Sequence, residues 1–239
     1  LGVMADVRET LQVLTPVLKS KGVAALSKRA AAVVAGLTEK NWSARRSNLV
    51  KEIEAQPKGT PINPDWLTLA LVEAMPDNAI LVDEALTSGR YTQALFEYTD
   101  RYSFHALASG GIGWGLPAAV GASLAKPGRR VAAYVGDGSA MYTPQAIWTM
   151  VRESLDVTML IFANRSYNIL RGELTNVGVR NPGPRAVDML SLSRPDLDWV
   201  SLARGMGAEG IRVKTAEQLA KAVDAGLGSG GPYLIQVDL

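Results

Sequence analysis

Residues 131–139 read VAAYVGDGS and residues 157–164 read VTMLIFAN, and these two stretches decide the fold. Each begins as a short, unbroken run of apolar residues. Polar residues follow these runs, Asp137 after Gly136 in the first stretch and Asn164 directly in the second. Runs of this kind are typical of strands in a parallel sheet that is buried on both faces.

The segment between the two stretches predicts a single crossover helix. Thr143 is a good N-cap, and Pro144 suits the first helical position, so the helix is expected over residues 144–154. Four apolar residues then recur at helical spacing and would pack on the sheet: Ile147, Met150, Val151 and Leu155. One crossover helix makes the two strands parallel, which brings Asp137 and Asn164 to the same edge of the sheet.

The same alternation of helices and strands continues on both sides of this unit. Further strands are predicted at 79–83, 210–213 and 233–237, and helices at 65–75, 116–125, 196–205 and 215–227. The stretch with Pro182, Pro184 and Pro195 is expected to be irregular. The whole pattern predicts an α/β fold, a doubly wound parallel sheet with helices on both faces.

The N-terminal part differs in composition. Residues 8–20 and 23–37 have helical composition, and 41–56 predicts a surface helix or a linker. The proline-rich stretch 57–64, PKGTPINP, marks a boundary. We therefore expect a remnant of a preceding domain over 1–22, a helical linker over 23–60 and the compact domain over 61–239. Since the chain starts at Leu1, it looks cut from a longer protein.

Composition excludes several functional classes. The chain has 25 basic and 23 acidic residues among 239, which gives no footprint for nucleic acid. It has no cysteine, which excludes disulfides and thiolate metal sites. The lack of cysteine is also compatible with a reducing compartment, and we expect a cytoplasmic protein. The uncharged stretch 106–125 contains five glycines and Pro117, so we predict a glycine-rich turn and a buried helix instead of a membrane span.

The residues at the two strand ends suggest a ligand. Gly136 and Gly138 permit a sharp turn and expose backbone N–H groups that suit a phosphate oxygen. A carboxylate at Asp137 and an amide at Asn164, with loop carbonyls, suit Mg²⁺ better than zinc, because Mg²⁺ prefers hard oxygen ligands. A neutral amide at 164 also avoids repulsion of a bound phosphate.

The motif from Gly136 to Ser139, with Asn164-Arg165-Ser166-Tyr167 after a spacer, resembles that of the thiamine-diphosphate-dependent decarboxylase superfamily. The similarity runs from about Pro61 to the C-terminus, and is greatest to benzoylformate decarboxylases and acetolactate-synthase-like proteins. It implies that Asp137 and Asn164 bind Mg²⁺ by side chain and Ser166 by its backbone carbonyl. It also implies that Gly138, Ser139 and Tyr167 lie along the diphosphate of thiamine diphosphate.

Two further segments carry the resemblance. Residues 109–117 resemble the family's aminopyrimidine turn, in which Gly110 would accept from the pyrimidine amino group and Ile112 would be the apolar wedge that bends the cofactor. Asp83-Glu84 with Thr87 and Ser88 resembles a loop that reaches the diphosphate. Two positions depart from the family: Ala163 replaces the first asparagine of a usual pair, and Leu170 replaces a glutamate that is catalytic in pyruvate decarboxylases.

The resemblance implies decarboxylation of a 2-oxo acid, with the thiamine diphosphate supplying the electron sink. The alternatives are an acetolactate synthase-type carboligase large subunit, a non-catalytic thiamine-diphosphate-binding module, and a phosphate-binding domain unrelated to thiamine. The glutamate that activates the pyrimidine belongs, in the family, to an N-terminal domain of a partner subunit in a homodimer or tetramer. No segment of this chain resembles that domain, so its catalytic residues stay unknown and the chain alone is expected to lack decarboxylase activity.

Some residues admit two interpretations. His105 could be an acid or base, or a structural residue before the glycine turn. Trp114 and Trp148 could line a pocket or belong to the core, and Arg171 with Glu173 could face substrate or form a solvated ion pair. The glycines of 111–115 do not predict a dinucleotide site, because a strand immediately before them and an acidic residue at a strand end about twenty residues on are both missing.

Overall fold

The computed structural model describes residues 2, 4–22 and 24–239. The chain divides into two compact units, residues 1–49 and 50–239. Helix α1 (Val7–Ser20) and helix α2 (Ala24–Thr38) belong to the first unit, and helix α3 (Trp42–Glu54) begins in the first and ends in the second. Helices α1 and α2 were predicted, and of the two alternatives for 41–56, a surface helix or a linker, the structure has a helix. The assignment of 1–22 to a preceding domain stays a prediction.

The second unit is built on a parallel sheet. Its strands are β1 (Ile80–Glu84), β2 (Phe104–Ala106), β3 (Val131–Gly136), β4 (Val157–Ala163), β5 (Glu209–Val213) and β6 (Tyr233–Asp238). They lie in the order β2-β1-β3-β4-β6-β5, and every neighbouring pair is parallel. Because β3 and β4 are neighbours with Gly136 opposite Phe162, the residues that follow them emerge side by side.

Helices cover both faces of this sheet. The helices of the second unit after α3 are α4 (Pro64–Glu73), α5 (Thr92–Leu95), α6 (Gly115–Ala125), α7 (Asp137–Ala140), α8 (Ala146–Arg152), α9 (Asn168–Asn176), α10 (Pro184–Met189), α11 (Trp199–Gly205) and α12 (Ala216–Gly228). On one face α6, α8 and α11 pack in a core with alternate residues of β3, including Val131 and Val135. On the other face, Gly226 of α12 lies so close that a methyl group there would be 2.9 Å from Thr158 Cγ2. The predicted doubly wound α/β class is confirmed.

The crossover between β3 and β4 has the predicted core and a different start. Ile147 and Met150 are fully buried, and Leu155 is nearly so. However, α8 begins at Ala146, because Thr143 does not cap it: the Thr143 hydroxyl donates to the carbonyl oxygen of Gly113 at 2.6 Å. The short helix α7 also forms directly after β3, where a turn and loop were expected.

Other differences lie in short elements. Strand β2 and helix α5 were not predicted, and helices α9 and α10 form within residues 165–195, which were expected to be irregular. Pro184 is the first residue of α10 and therefore starts a helix. The helix 116–125 expected behind the glycine turn is confirmed as α6. No helix in the described part of the chain is long and apolar enough to span a membrane.

Candidate functional site

A cavity of about 580 Å³ opens where β1, β3 and β4 end. This volume lies within the range that small-molecule ligands occupy. All the residues predicted from the sequence to bind cofactor or metal line this one cavity: Thr87, Ser88, Gly110, Ile112, Gly136, Asp137, Gly138, Ser139, Asn164, Ser166 and Tyr167. The chain thus brings together residues that are up to 80 positions apart, from Thr87 to Tyr167 (167 − 87 = 80). Their individual roles stay predictions.

Asp137 is the first residue after β3 and is only 2% exposed. Its Oδ1 accepts from the Gly138 N–H at 2.9 Å and its Oδ2 from the Arg165 N–H at 2.7 Å. Burial raises the pKa of Asp137 to about 6, although these backbone N–H groups act in the opposite direction. A carboxylate whose charge is this costly to bury would be stabilised by a nearby cation.

The loop after β4 presents the amide predicted to bind metal. Asn164 Oδ1 accepts from the Ser166 N–H at 3.0 Å, which leaves a second lone pair on that oxygen. Arg165 adopts a left-handed backbone with φ of 54°, and this turn directs its N–H to Asp137. The loops that carry Asp137 and Asn164 are therefore held against each other.

Arg165 has a structural role that the sequence did not reveal. Its guanidinium lies 3.2 Å from Asp196 and 3.3 Å from Asp238 at the end of β6. Asp238 is nearly buried and also pairs with Arg212 at 2.8 Å. These ion pairs tie the loop after β4 to the end of the next strand, and they hold a residue whose backbone conformation is otherwise unfavourable for a side chain with Cβ.

Gly138 lies under the ring of Tyr167. A methyl group at this position would be 2.7 Å from both Cδ1 and Cε1 of that ring, which is shorter than any normal contact. The Tyr167 N–H donates to the Leu190 carbonyl at 2.9 Å, so the backbone beneath the ring is also fixed. Only glycine at 138 permits this approach of α7 to the loop after β4.

The glycine turn forms the opposite wall. Gly110 and Gly113 have φ of 75° and 90°, in the left-handed region that favours glycine. Ile112 is 39% exposed and faces the cavity. A methyl group at Gly113 would lie 2.4 Å from Tyr142 Cβ, so the turn also packs tightly on the loop that precedes α8.

Glu84 contacts the glycine turn, although the sequence suggested only that its loop reaches the diphosphate. Its side chain is 1% exposed, and its two carboxylate oxygens accept from the Gly113 and Gly115 N–H groups, each at 2.6 Å. The one signal for it was an acidic residue at the end of an apolar strand.

Apolar side chains complete the cavity: Leu86, Leu107, Tyr142, Ile169, Leu170 and Met189. His105 does not line it and lies with Trp114 on a separate groove. Trp148 is 51% exposed, so it does not belong to the core, and it does not line this cavity. The Glu173 carboxylate accepts from the Asn176 side-chain amide. Strand β2 ends shortly before the glycine turn. A strand was expected to be missing there, and that was one of the two reasons for rejecting a dinucleotide site.

Comparison with known proteins places this geometry in a family. Residues 87–237 match the model of the C-terminal TPP-binding domain of thiamine pyrophosphate enzymes. A Mycobacterium tuberculosis protein provisionally named as an acetolactate synthase large subunit, IlvX, is 45% identical over 68% of this chain and 32% of its own length. Benzoylformate decarboxylase of Pseudomonas aeruginosa is 33% identical over 75% of this chain and 33% of its own length.

Solved structures agree with this. A thiamine diphosphate-dependent 4-hydroxybenzoylformate decarboxylase from Rhodococcus jostii is 34% identical, with a TM-score of 0.70 over 77% of this chain. Benzoylformate decarboxylase from Polynucleobacter necessarius is 31% identical, with a TM-score of 0.69 over the same share. The chain spans about a third of the length of each of these relatives.

Proposed function

The chain belongs to the thiamine pyrophosphate enzymes and carries their C-terminal cofactor-binding domain, and on this premise we propose that it holds thiamine diphosphate through Mg²⁺ in a 2-oxo-acid decarboxylase of the benzoylformate decarboxylase type. The observation that carries the proposal is the single cavity that collects all the residues predicted to bind cofactor or metal. The decarboxylases among its relatives support the choice of reaction.

The donor atoms fit Mg²⁺. The Asp137 carboxylate, the Asn164 amide oxygen and the Ser166 carbonyl are hard oxygen ligands, and phosphate oxygens would complete the shell. Among the described residues no three His, Cys, Asp or Glu side chains group together as a metal site, so this ion would depend on one carboxylate and on the ligand's own oxygens. A metal that binds only with a diphosphate follows from this donor set.

The remaining residues have separate tasks in the proposal. Gly136, Gly138 and Ser139 would lie along the diphosphate, and Tyr167 would lie beside it. Thr87 and Ser88 contribute hydroxyl groups from the loop after β1. Gly110 and Ile112 contact the pyrimidine end and set the bend of the cofactor. When bound, thiamine diphosphate supplies the electron sink for loss of CO₂ from the substrate.

Asp137→Asn tests the metal assignment. The exchange keeps the side-chain shape and removes the charge, so we expect Mg²⁺-dependent binding of thiamine diphosphate to weaken roughly a hundredfold or more, beyond the 10–100-fold typical of residues that only support metal ligands. Calorimetry with and without Mg²⁺ measures it, and the exposed Asp77→Asn is the matched control. Unchanged affinity in Asp137→Asn would reject the metal site.

Acetolactate-type carboligation is the second candidate, because IlvX shares the 45% identity. The two reactions would differ in whether the decarboxylated fragment of the substrate takes up a proton or is joined to a second 2-oxo acid. Assay of the full-length protein on aromatic, branched and short 2-oxo acids, with detection of acetolactate, separates the two. A chain that binds thiamine diphosphate in an intact protein without turnover would instead be a binding module.

The proposal extends to partners and location. The pyrimidine-activating glutamate would come from an N-terminal domain of a partner subunit, in a homodimer or tetramer, and the absence of cysteine supports a cytoplasmic protein. Purified chain alone should therefore show no decarboxylase activity with Mg²⁺ and thiamine diphosphate. Measurable turnover by the chain alone would contradict this.

A further inference from the structure

We propose that Glu84 is a positioning residue that fixes the glycine turn in the shape that presents Gly110 and Ile112 to the pyrimidine end of thiamine diphosphate. The inference deepens the proposed function and rests on it. Glu84 is charged and buried, and binding of the metal and the diphosphate does not account for it.

The Glu84 carboxylate joins the end of β1 to the glycine turn. Glu84 ends β1, directly beside β3, and its carboxylate crosses to residues 29 and 31 positions later. Each oxygen accepts one backbone N–H at 2.6 Å, at the short end of charge-assisted hydrogen bonds. A carboxylate presents one acceptor oxygen to each of the two donors, whereas an amide has an NH₂ group and a protonated acid an O–H group in place of one of them.

The helix behind the turn adds a second constraint on Glu84. Gly115 is the first residue of α6, whose free N–H groups carry partial positive charge. A methyl group at Gly115 would lie 2.7 Å from Glu84 Oε2, so the close approach of the carboxylate requires glycine there. Glu84 and Gly115 together fix where the turn ends.

Gly110 and Ile112 form the part of the turn that faces the cavity. A methyl group at Gly110 or at Gly111 would meet no atom within 4 Å, so packing does not hold these residues on that side. Two groups hold the turn at its far end: Glu84 on the N–H groups, and the Thr143 hydroxyl on the Gly113 carbonyl. The position of Gly110 and Ile112 therefore depends on contacts made one to five residues later in the chain, at Gly113 and Gly115.

The test separates the two ends of the cofactor. Mg²⁺ with thiamine diphosphate reaches the turn, whereas Mg²⁺ with inorganic pyrophosphate occupies only the diphosphate end. In Glu84→Gln we expect thiamine diphosphate binding to weaken roughly ten- to hundredfold, as for a charged hydrogen bond, and pyrophosphate binding to stay within about threefold. Hydrogen exchange of the peptide over residues 107–118 should also quicken. Glu153→Gln, the same exchange at an exposed site, should change none of these.

The outcomes divide clearly. Equal weakening of both ligands, or unchanged thiamine diphosphate affinity, would overturn the positioning role. Wild-type chain that binds pyrophosphate but not thiamine diphosphate would overturn the proposed function and this inference with it, while the exchange data would still report whether Glu84 holds the turn. If Glu84→Gln does not fold, Gly115→Ala displaces the carboxylate from the opposite side and should give the same selective loss; a folded Gly115→Ala with unchanged thiamine diphosphate affinity would also overturn the role.

Discussion

Gly138→Ala measures how closely α7 approaches the ring of Tyr167. The added methyl carbon would lie 2.7 Å from two ring carbons, whereas carbon atoms normally sit about 3.5–4.0 Å apart, so ring or helix must shift by roughly 1 Å. Such overpacking costs about 1–3 kcal/mol. Alanine is better than glycine inside a helix by about 0.5–1 kcal/mol, which offsets part of that cost.

We therefore expect a net loss of about 0.5–2 kcal/mol in the free energy of unfolding of Gly138→Ala. A unit of this size loses about 2–4 °C in Tm per kcal/mol, so the change is measurable by urea or thermal denaturation. Adding Tyr167→Ala removes the ring. In that background only the helix preference remains, and the same Gly138→Ala exchange should stabilise the protein by up to about 1 kcal/mol.

The control for this cycle is Gly121→Ala on the exposed side of α6, where a methyl group meets nothing within 4 Å. It should stabilise the chain by about 0.5–1 kcal/mol whether or not Tyr167 is present. The reasoning is refuted if Gly138→Ala costs the same free energy with and without the ring, because the cost would then not come from Tyr167.

Two further exchanges test the surroundings of the cavity. Burial raises the pKa of Asp83 to about 6, although the hydrogen bond from the Ala85 N–H acts in the opposite direction. The folded state therefore holds the Asp83 proton more tightly than the unfolded state does. As a result, Asp83 destabilises the fold progressively as the pH rises from about 4 to 6. Asp83→Asn should remove up to about 3 kcal/mol of that fall in urea denaturation between pH 4 and pH 7, and an unaltered fall would argue against it. Thr143→Val deletes the hydroxyl that donates to Gly113 and should lower the free energy of unfolding by about 0.5–1.5 kcal/mol, while the exposed Thr99→Val should change it little. Equal effects at 143 and 99 would mean that the hydrogen bond contributes nothing.

The strand ends were predictable from sequence because their signal is local. Apolar runs determined β3 and β4 to within a residue, and parallel pairing then places whatever follows them at one edge. The cavity at that edge contains Asp137 and Asn164 as expected. Nothing beyond the register of two adjacent strands was needed for this.

Elements formed by tertiary contact were missed. Strand β2 has only three residues and exists because it pairs with β1 at the edge of the sheet. Thr143 has the sequence of a helix cap, yet its hydroxyl donates to the glycine turn thirty residues earlier, so α8 begins later. Local preference is a weak guide where a distant partner offers a better hydrogen bond.

Residues with a left-handed backbone also differ in how far the sequence predicts them. Glycine at 110 and 113 signals a special backbone conformation, but Arg165 carries no such signal, and its φ of 54° depends on the Asp137 carboxylate and on ion pairs with Asp196 and Asp238. From the sequence alone, Arg165 would be interpreted as an ordinary surface cation. Its contacts with three other segments of the chain offset the free-energy cost of the left-handed backbone.

The two ends of the cavity therefore differ in how the sequence encodes them. The end that contains Asp137 and Asn164 follows from residues adjacent to two paired strands, whereas the turn at the other end is held by Glu84, whose partners lie 29 and 31 residues away and offer only backbone N–H groups. Backbone donors leave no complementary side chain for a sequence pattern to reveal. What the sequence does retain is Gly115, since any larger residue would collide with the Glu84 carboxylate, so a change at either position alone should disturb the turn while the strand ends stay in place.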